Sequence, residues 1–327
     1  MDTNVVDRIC DAHHHLWREP PTLAWPSRYL IDDLVGNCLQ TGIPMSTIFV
    51  ECGSEYRTEG PEWLRPVGET EFVESSLSYW RETGGTGSIE PCAAIVGFAD
   101  LRRGVAVREV IDAHLAASPT RFKGIRYQAA CDPDPGVRSA ATDPPPQLLG
   151  SPAFREGLRE VVASHLVFNV WVYHPQLAEV AALADALPDL TIILEHCGGP
   201  LGLGSYAGRS EAVFAQWRPL IAELAHRQNV YVKLGALTMD LTGLAGTVSR
   251  SDPGVAEAAV LFEPWFHYLV EQFGVDRCML ECNYPFESLG LRYVDLWDAY
   301  SIIFSSYSRD ERAALFSRTA ERTYGVR

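Results

Sequence analysis

Eight short runs dominated by Val, Ile, Leu, Phe and Cys recur along the chain, at residues 8–13, 46–52, 92–98, 122–127, 166–173, 191–195, 230–234 and 278–282. Each is bounded by turn residues and followed by a helical pattern. Nearly continuous apolar runs suit parallel strands covered on both faces rather than half-exposed strands. The helical pattern is clearest where Leu177, Val180, Ala181, Ala184 and Leu187 follow the i, i+3, i+4, i+7 rule until Pro188 stops it. Ser151 ahead of Pro152 predicts another helix start. Ser308 with Glu311 forms a capping-box pattern ahead of a terminal helix ending near Tyr324.

Strand then helix, eight times, predicts a parallel sheet with right-handed crossovers, and eight units close such a sheet into a single (β/α)8 TIM barrel over residues 1–327. An open doubly wound sheet calls for a glycine-rich phosphate turn after the first strand; His13, His14, His15 and Leu16 stand there instead. The longest irregular stretches, 53–68, 128–150, 197–208 and 236–254, follow strands two, four, six and seven, where a barrel builds its active-site face. The Pro-rich stretch 143–147 reads as a loop, and no linker divides the chain.

Composition narrows the function. With 47% hydrophobic and 21% charged residues and no apolar run long enough for a bilayer, a soluble barrel with a large core is expected. A net charge of −15 without a compact basic patch argues against nucleic acid as a partner. The first eight residues carry no basic segment leading into an apolar one, so a cytoplasmic protein acting on a small molecule, away from membranes, is expected; the sequence leaves homo-oligomerisation open. The eight cysteines form no CxxC pair and read as free, mostly buried side chains.

The chemistry concentrates at strand ends. In Asp11-Ala12-His13-His14-His15, strand alternation puts His13 and His15 on one side and His14 on the other, so two imidazoles can grip one metal ion. They can equally serve as polar strand-end groups bonded to backbone carbonyls. His174 after strand five, Glu195 and His196 after strand six, Lys233 in strand seven and Asn283 after strand eight converge on the same face.

Several fragments together, DAHHHLW (11–17), FVECGS (49–54), VGFADL (96–101), FKGIRY (122–127), WVYHPQL (171–177), EHCGGPLG (195–202), VYVKLG (230–235) and RCMLECNYPFE (277–287), resemble the amidohydrolase-related metal-dependent hydrolases of the TIM-barrel fold. The nearer branch is the one with sugar-acid and pyrone lactonases. The resemblance implies one divalent metal, Zn2+ first among candidates, on His13 and His15, helped by His174 or His196. It also implies a metal-contacting carboxylate after strand eight that acts as general base. Here that position is Asn283, an amide that cannot take a proton from water near neutral pH, which leaves a metal-free site open.

The base must then come from Glu51, Glu195, Glu281 or His196. Lys123, Arg126 and Lys233 are cations in or near the barrel, read as ion-pair partners for the two lysines and as either ion-pair partner or substrate carboxylate clamp for Arg126. Trp17, Tyr56, Trp171, Tyr173, Tyr206 and Tyr284 flank the strand ends and are candidates to line a pocket; with His174 they complete the substrate-binding set. The leading expectation is a lactonase attacking an ester carbonyl with water. Non-hydrolytic decarboxylation, dehydration or isomerisation of a carboxylated molecule is the alternative, and a degenerate ligand-binding barrel the third reading.

Overall fold

Eight strands pair in chain order, each parallel to the next: β1 (Ile9–His14), β2 (Met45–Val50), β3 (Ile89–Phe98), β4 (Phe122–Gln128), β5 (Val167–Trp171), β6 (Ile192–Leu194), β7 (Val230–Leu234) and β8 (Cys278–Leu280). The computed structural model describes residues 6–20, 26–85, 87–242 and 253–326, so residues 243–252 of the long stretch expected after strand seven lie outside the described part. A helix follows every strand: α1 (Ile31–Gln40), α2 (Val67–Glu82), α3 (Arg108–Ala117), α4 (Pro152–Ala163), α5 (Leu177–Ala186), α6 (Ser210–Ala225), α7 (Pro253–Phe273) and α8 (Tyr293–Ile303). This is the expected (β/α)8 barrel. No helix among the described residues is long and apolar enough to cross a membrane.

All eight apolar runs contain a strand, but several strands stop short of the polar ends of their runs. Glu51 and Cys52, Val172 and Tyr173, Glu195, and Glu281 and Cys282 lie beyond the regular strands, although Glu51, Glu195 and Glu281 each still donate a backbone N–H to the neighbouring strand. Nearby, His196, Cys197, Ala236 and Asn283 adopt positive φ, a conformation that cannot continue a strand. The barrel closes through these departing residues. Asn283 N donates to His13 O (2.8 Å), and His15 N donates to Tyr284 O (2.8 Å).

Cys10, Ala12, Ile48, Val50, Ala94, Val96, Val167, Ile193 and Met279 form an inner cluster, capped by Ala320 and Tyr324 from the chain's last helix. A larger cluster fills the layer between sheet and helices. Ser308 and Glu311 form the capping box that the sequence predicts. The terminal helix is nevertheless divided into α9 (Arg309–Ala313), a π turn over Ala314–Arg318 and α10 (Thr319–Tyr324). α4 starts at Pro152 as expected, although the Ser151 side chain makes no capping bond.

One buried carboxyl ties a strand-end loop to its helix. Glu69, in the first turn of α2, accepts through Oε1 from Cys52 N (3.0 Å) and from Ser54 N (3.3 Å) and Oγ (3.2 Å). Burial, then the neighbouring Glu51, pushes Glu69 up to about 8.

Two stability predictions follow from these contacts. Tyr324 OH donates to Asn169 Oδ1 (2.6 Å) beneath the barrel; Tyr324→Phe leaves that oxygen unpaired and is expected to cost about 1–3 kcal/mol, read from urea denaturation. A carboxyl raised by folding keeps its proton longer in the folded state. Its contribution is therefore intact below the unfolded value near 4.5 and is lost as pH rises through about 8. Glu69→Gln, which stays neutral, should gain stability relative to wild type at pH 8 and much less at pH 4.5, measured by thermal unfolding at both pH values.

Candidate active site

The site begins with a bulge. The register between β1 and β2 shifts between Asp11 and His14. Cys10 and Ala12 face the inner cluster, and beyond the bulge His13 and His15 turn inward too. A bulge at a strand end is a standard way to re-aim a side chain. His14 faces the other way, its Nε2 2.9 Å from Thr47 Oγ1. Asp11 anchors the segment: its Oδ1 accepts from Cys282 N (2.9 Å) and His13 N (3.3 Å), and its Oδ2 from Tyr293 OH (3.0 Å). Burial pushes Asp11 up to about 6, against those donors.

His13 sits at the centre. Its Nε2 lies 3.2 Å from His15 Nε2, and its Nδ1 lies 3.1 Å from Glu281 Oε2, 3.4 Å from Glu195 Oε1 and 3.1 Å from Lys233 Nζ. Its ring is 4.8 Å from that of His196, centroid to centroid. His196 follows β6 in a turn with φ of 55° at His196 and 62° at Gly199. A Cβ at Gly199 would stand 2.0 Å from Val172 O, so the turn requires glycine there. Both the backbone N and Nδ1 of His196 reach Glu281 Oε1, at 3.1 and 2.8 Å.

The donor set fits a divalent cation. His15 Nδ1 is 2.7 Å from Val50 O, which can only accept, so the proton sits on Nδ1 and Nε2 keeps its lone pair. That lone pair faces both His13 Nε2 and, at 3.2 Å, Asn283 Oδ1. Three such atoms suit a small ion with bonds of about 2.0–2.1 Å. His13, His196 and Glu281 make a second grouping, their donor atoms all within 4.8 Å of one another. Burial holds His13 and His15 well below the usual histidine range, which keeps both neutral and able to ligate.

The tautomer of His13 separates two states. With its proton on Nδ1, on the side of Glu281 and Glu195, Nε2 is free for a metal. With its proton on Nε2, directed at His15, Nδ1 accepts from Lys233 and the histidines close a hydrogen-bond chain without one.

Glu195 ties the remaining charges together. Its Oε2 accepts from Arg126 Nε (2.8 Å), and its Oε1 lies 3.5 Å from Lys233 Nζ. Burial pushes Glu195 up, but Arg126 and Lys233 outweigh it and leave the carboxyl below its ordinary value. Arg126 also donates to Glu51 O (2.9 Å) and approaches Glu51 Oε1 at 3.6 Å. Arg126 is thus an ion-pair partner, and Lys233 pairs as the sequence predicts. Lys123 does not: it is half-buried and forms no ion pair among the described residues.

Trp171 stands edge-on to His196 at 6.2 Å, and Phe286 edge-on to His15 at 5.2 Å, one aromatic on each side of the cluster. Trp17 is fully buried behind Phe286, 5.4 Å between rings. Tyr56 is half-buried in the loop after β2, close enough to Glu51 and Glu69 to feel their charge. Two expected residues are not brought to the cluster. His174 lies in the turn after β5, where its Nδ1 accepts from Leu201 N (3.3 Å) and its ring meets Tyr206; among the described residues, His196 occupies the metal-side position instead. Tyr284 is buried against Tyr293, its OH donating to Leu291 O.

Sequence reasoning passed over Phe286, although it sits in the RCMLECNYPFE fragment, and over Gln128, whose Nε2 donates to Glu51 Oε1 (3.2 Å). No local signal marks Gln128. Its role appears only once β4 is set beside β2 across the barrel mouth.

The comparisons agree with this geometry. The chain is 27% identical over 243 residues to the L-fucono-1,5-lactonase of Burkholderia multivorans, covering 72% of both chains. It is 21% identical to the L-rhamnono-gamma-lactonase of Scheffersomyces stipitis over 98% of this chain and 99% of that one. In fold it is similar to a zinc-bound amidohydrolase from Burkholderia multivorans, with a TM-score of 0.70, 22% identity and 98% and 99% of the two chains covered. The amidohydrolase family model matches residues 10–326, and the chain belongs to that family of enzymes.

Proposed function

We propose that the protein is a lactonase that opens a small-molecule lactone with water. The observation that carries this reading is the Glu281–His196 pair. With Glu281 accepting from Nδ1, the His196 proton is fixed there and Nε2 is left as a proton acceptor facing the cluster. Its Nε2 forms no hydrogen bond among the described residues. This is a carboxylate-oriented imidazole, the arrangement by which a histidine takes a proton from a nucleophile and returns it to a leaving group. The similarity to two sugar-acid lactonases supports a lactone as the substrate.

In the proposed reaction, water adds to the lactone carbonyl carbon as its proton passes to His196 Nε2, and the carbonyl π electrons move onto oxygen. Collapse re-forms C=O and breaks the ring C–O bond, and His196 gives its proton to the departing alkoxide. The product hydroxy acid releases its carboxyl proton to solvent. A divalent metal, with Zn2+ the ion that the donor set suits, supplies Lewis-acid polarisation of the carbonyl when bound on His13 and His15 with Asn283 Oδ1 or the Glu281 side. Trp171 and Phe286 wall the ring of the substrate. Arg126, committed to Glu195 and Glu51, holds Glu195 in place rather than clamping a substrate carboxylate.

Hydrolysis of a panel of sugar-acid lactones in ¹⁸O-labelled water is expected to put one label into each product carboxyl. A product lacking the label, or loss of CO2, would instead indicate lyase chemistry and overturn the reading. His196→Ala should lower kcat by about 100- to 10,000-fold. Separately, elemental analysis should find a divalent metal in the wild-type protein and markedly less in His13→Ala and His15→Ala, each checked for folding by circular dichroism.

A further inference from the structure

Lys233 in β7 is fully buried, and its Nζ lies 3.1 Å from His13 Nδ1 in hydrogen-bond geometry. Two further neighbours suit a cation: Glu195 Oε1 at 3.5 Å, and the Tyr324 ring, whose centroid is 5.7 Å from Nζ. An ammonium group has only hydrogens to offer, so His13 Nδ1 is the acceptor in this pair. Two carboxylate oxygens also stand near that nitrogen, Glu281 Oε2 at 3.1 Å and Glu195 Oε1 at 3.4 Å. Both are buried without a hydrogen bond, so neither is aligned to accept from Nδ1.

A neutral imidazole that accepts on one nitrogen carries its proton on the other. With Lys233 at Nδ1, the His13 proton is on Nε2, where it donates to His15 Nε2 (3.2 Å), and His15 Nδ1 donates in turn to Val50 O (2.7 Å). Lys233, His13, His15 and Val50 then form one line of hydrogen bonds that all run in the same sense. The consequence falls on metal binding. A divalent ion shared by the two histidines needs the lone pair of each Nε2, but His13 Nε2 holds a hydrogen for as long as Lys233 occupies Nδ1. Binding therefore requires the Lys233–His13 bond to break and the proton to pass from Nε2 to Nδ1. It also brings a divalent charge toward a buried cation.

We propose that Lys233 is a positioning residue that lowers the affinity of the histidine pair for a divalent metal by holding His13 in its Nε2–H form. This rests on the reading of His13 and His15 as metal ligands, and on no assumption about the substrate. Lys233 touches neither metal nor substrate; it acts through the ring of His13, as partners behind a ligating histidine commonly do. A carboxylate in its place would accept the proton at Nδ1 and open Nε2, whereas an ammonium does the opposite.

The tautomer is read directly by NMR of protein with ¹⁵N-labelled histidine, stripped of metal, with the His13 signals assigned by their loss in His13→Gln. The wild type is expected to show a protonated Nε2 and an unprotonated Nδ1 at His13. A protonated Nδ1 overturns the proposal, whether or not any Lys233 variant folds. Two variants then separate the hydrogen bond from the charge. Lys233→Met removes both, while Lys233→Gln removes the charge but keeps an N–H on a side chain one atom shorter. Zn2+ affinity, read by competition with a chromophoric chelator, is expected to rise about tenfold or more in Lys233→Met and by less in Lys233→Gln. Equal rises in the two variants would assign the effect to charge alone and overturn the role of the bond. Unchanged or weaker affinity in Lys233→Met, with folding confirmed by circular dichroism, overturns it as well. Metal retained in both His13→Ala and His15→Ala is a different result: it removes the ligand assignment and leaves the tautomer measurement standing.

Discussion

Everything at the mouth of this barrel hangs on the seam between the first strand and the chain that follows the last. Asp11 makes that seam. One carboxyl group, buried and acceptor-rich, takes the backbone N–H of Cys282, the N–H of His13 and the hydroxyl of Tyr293. Two backbone bonds, Asn283 to His13 and His15 to Tyr284, complete the closure one step further along. The segment that closes the barrel is therefore the same one that carries both histidines and the amide facing them. Closing the sheet and assembling the site are a single event, because the bonds that do one fix the side chains that do the other.

Charge is the second constraint, and it is met within the barrel. Two cations and three carboxylates are taken out of water here, and each alone would be costly to bury. Glu195 resolves most of this by touching Arg126, Lys233 and the edge of His13. Burial pushes Glu51 upward, against the neighbouring Arg126 and the Gln128 amide. His13 and His15 stay neutral in this field, since burial and the nearby cations both disfavour the imidazolium. A site so arranged is preorganised, with groups that need not reorient when charge develops on a substrate.

Much of this was legible in the sequence, and what was not has an identifiable cause. Short continuous Val, Ile, Leu and Cys runs bounded by turn residues suit strands covered on both faces, and eight of them with helices between point to a barrel. The pairing of His13 with His15 and the opposite aim of His14 follow from strand alternation. His174 and Tyr284 show where that logic stops. Both stand just beyond strands, where the backbone turns, and alternation says nothing about a side chain once the chain has left the ladder. Glu281 and Asn283 both face the histidines, though Asn283 does so from a left-handed backbone rather than by sharing a strand face. The commitment of Arg126 to Glu195 and Glu51 joins three strands far apart in the chain, and no local pattern could have chosen it over a role as substrate clamp.

The strand ends also explain why position 283 takes an amide without any change of shape. Four non-glycine residues adopt positive φ after β6, β7 and β8: His196, Cys197, Ala236 and Asn283. Such conformations are held only when surrounding contacts over-determine them, and they gather where a fold must aim a functional group. Asn and Asp both tolerate this region because their short polar side chains can bond locally. The backbone at 283 thus accepts either residue, and the two side chains have the same outline. What separates them is charge and the direction of a hydrogen. The neighbourhood already holds the side chains of Glu51, Glu195 and Glu281 and an imidazole oriented by the last of them. A neutral amide at 283 adds no further charge to those that Arg126 and Lys233 already balance.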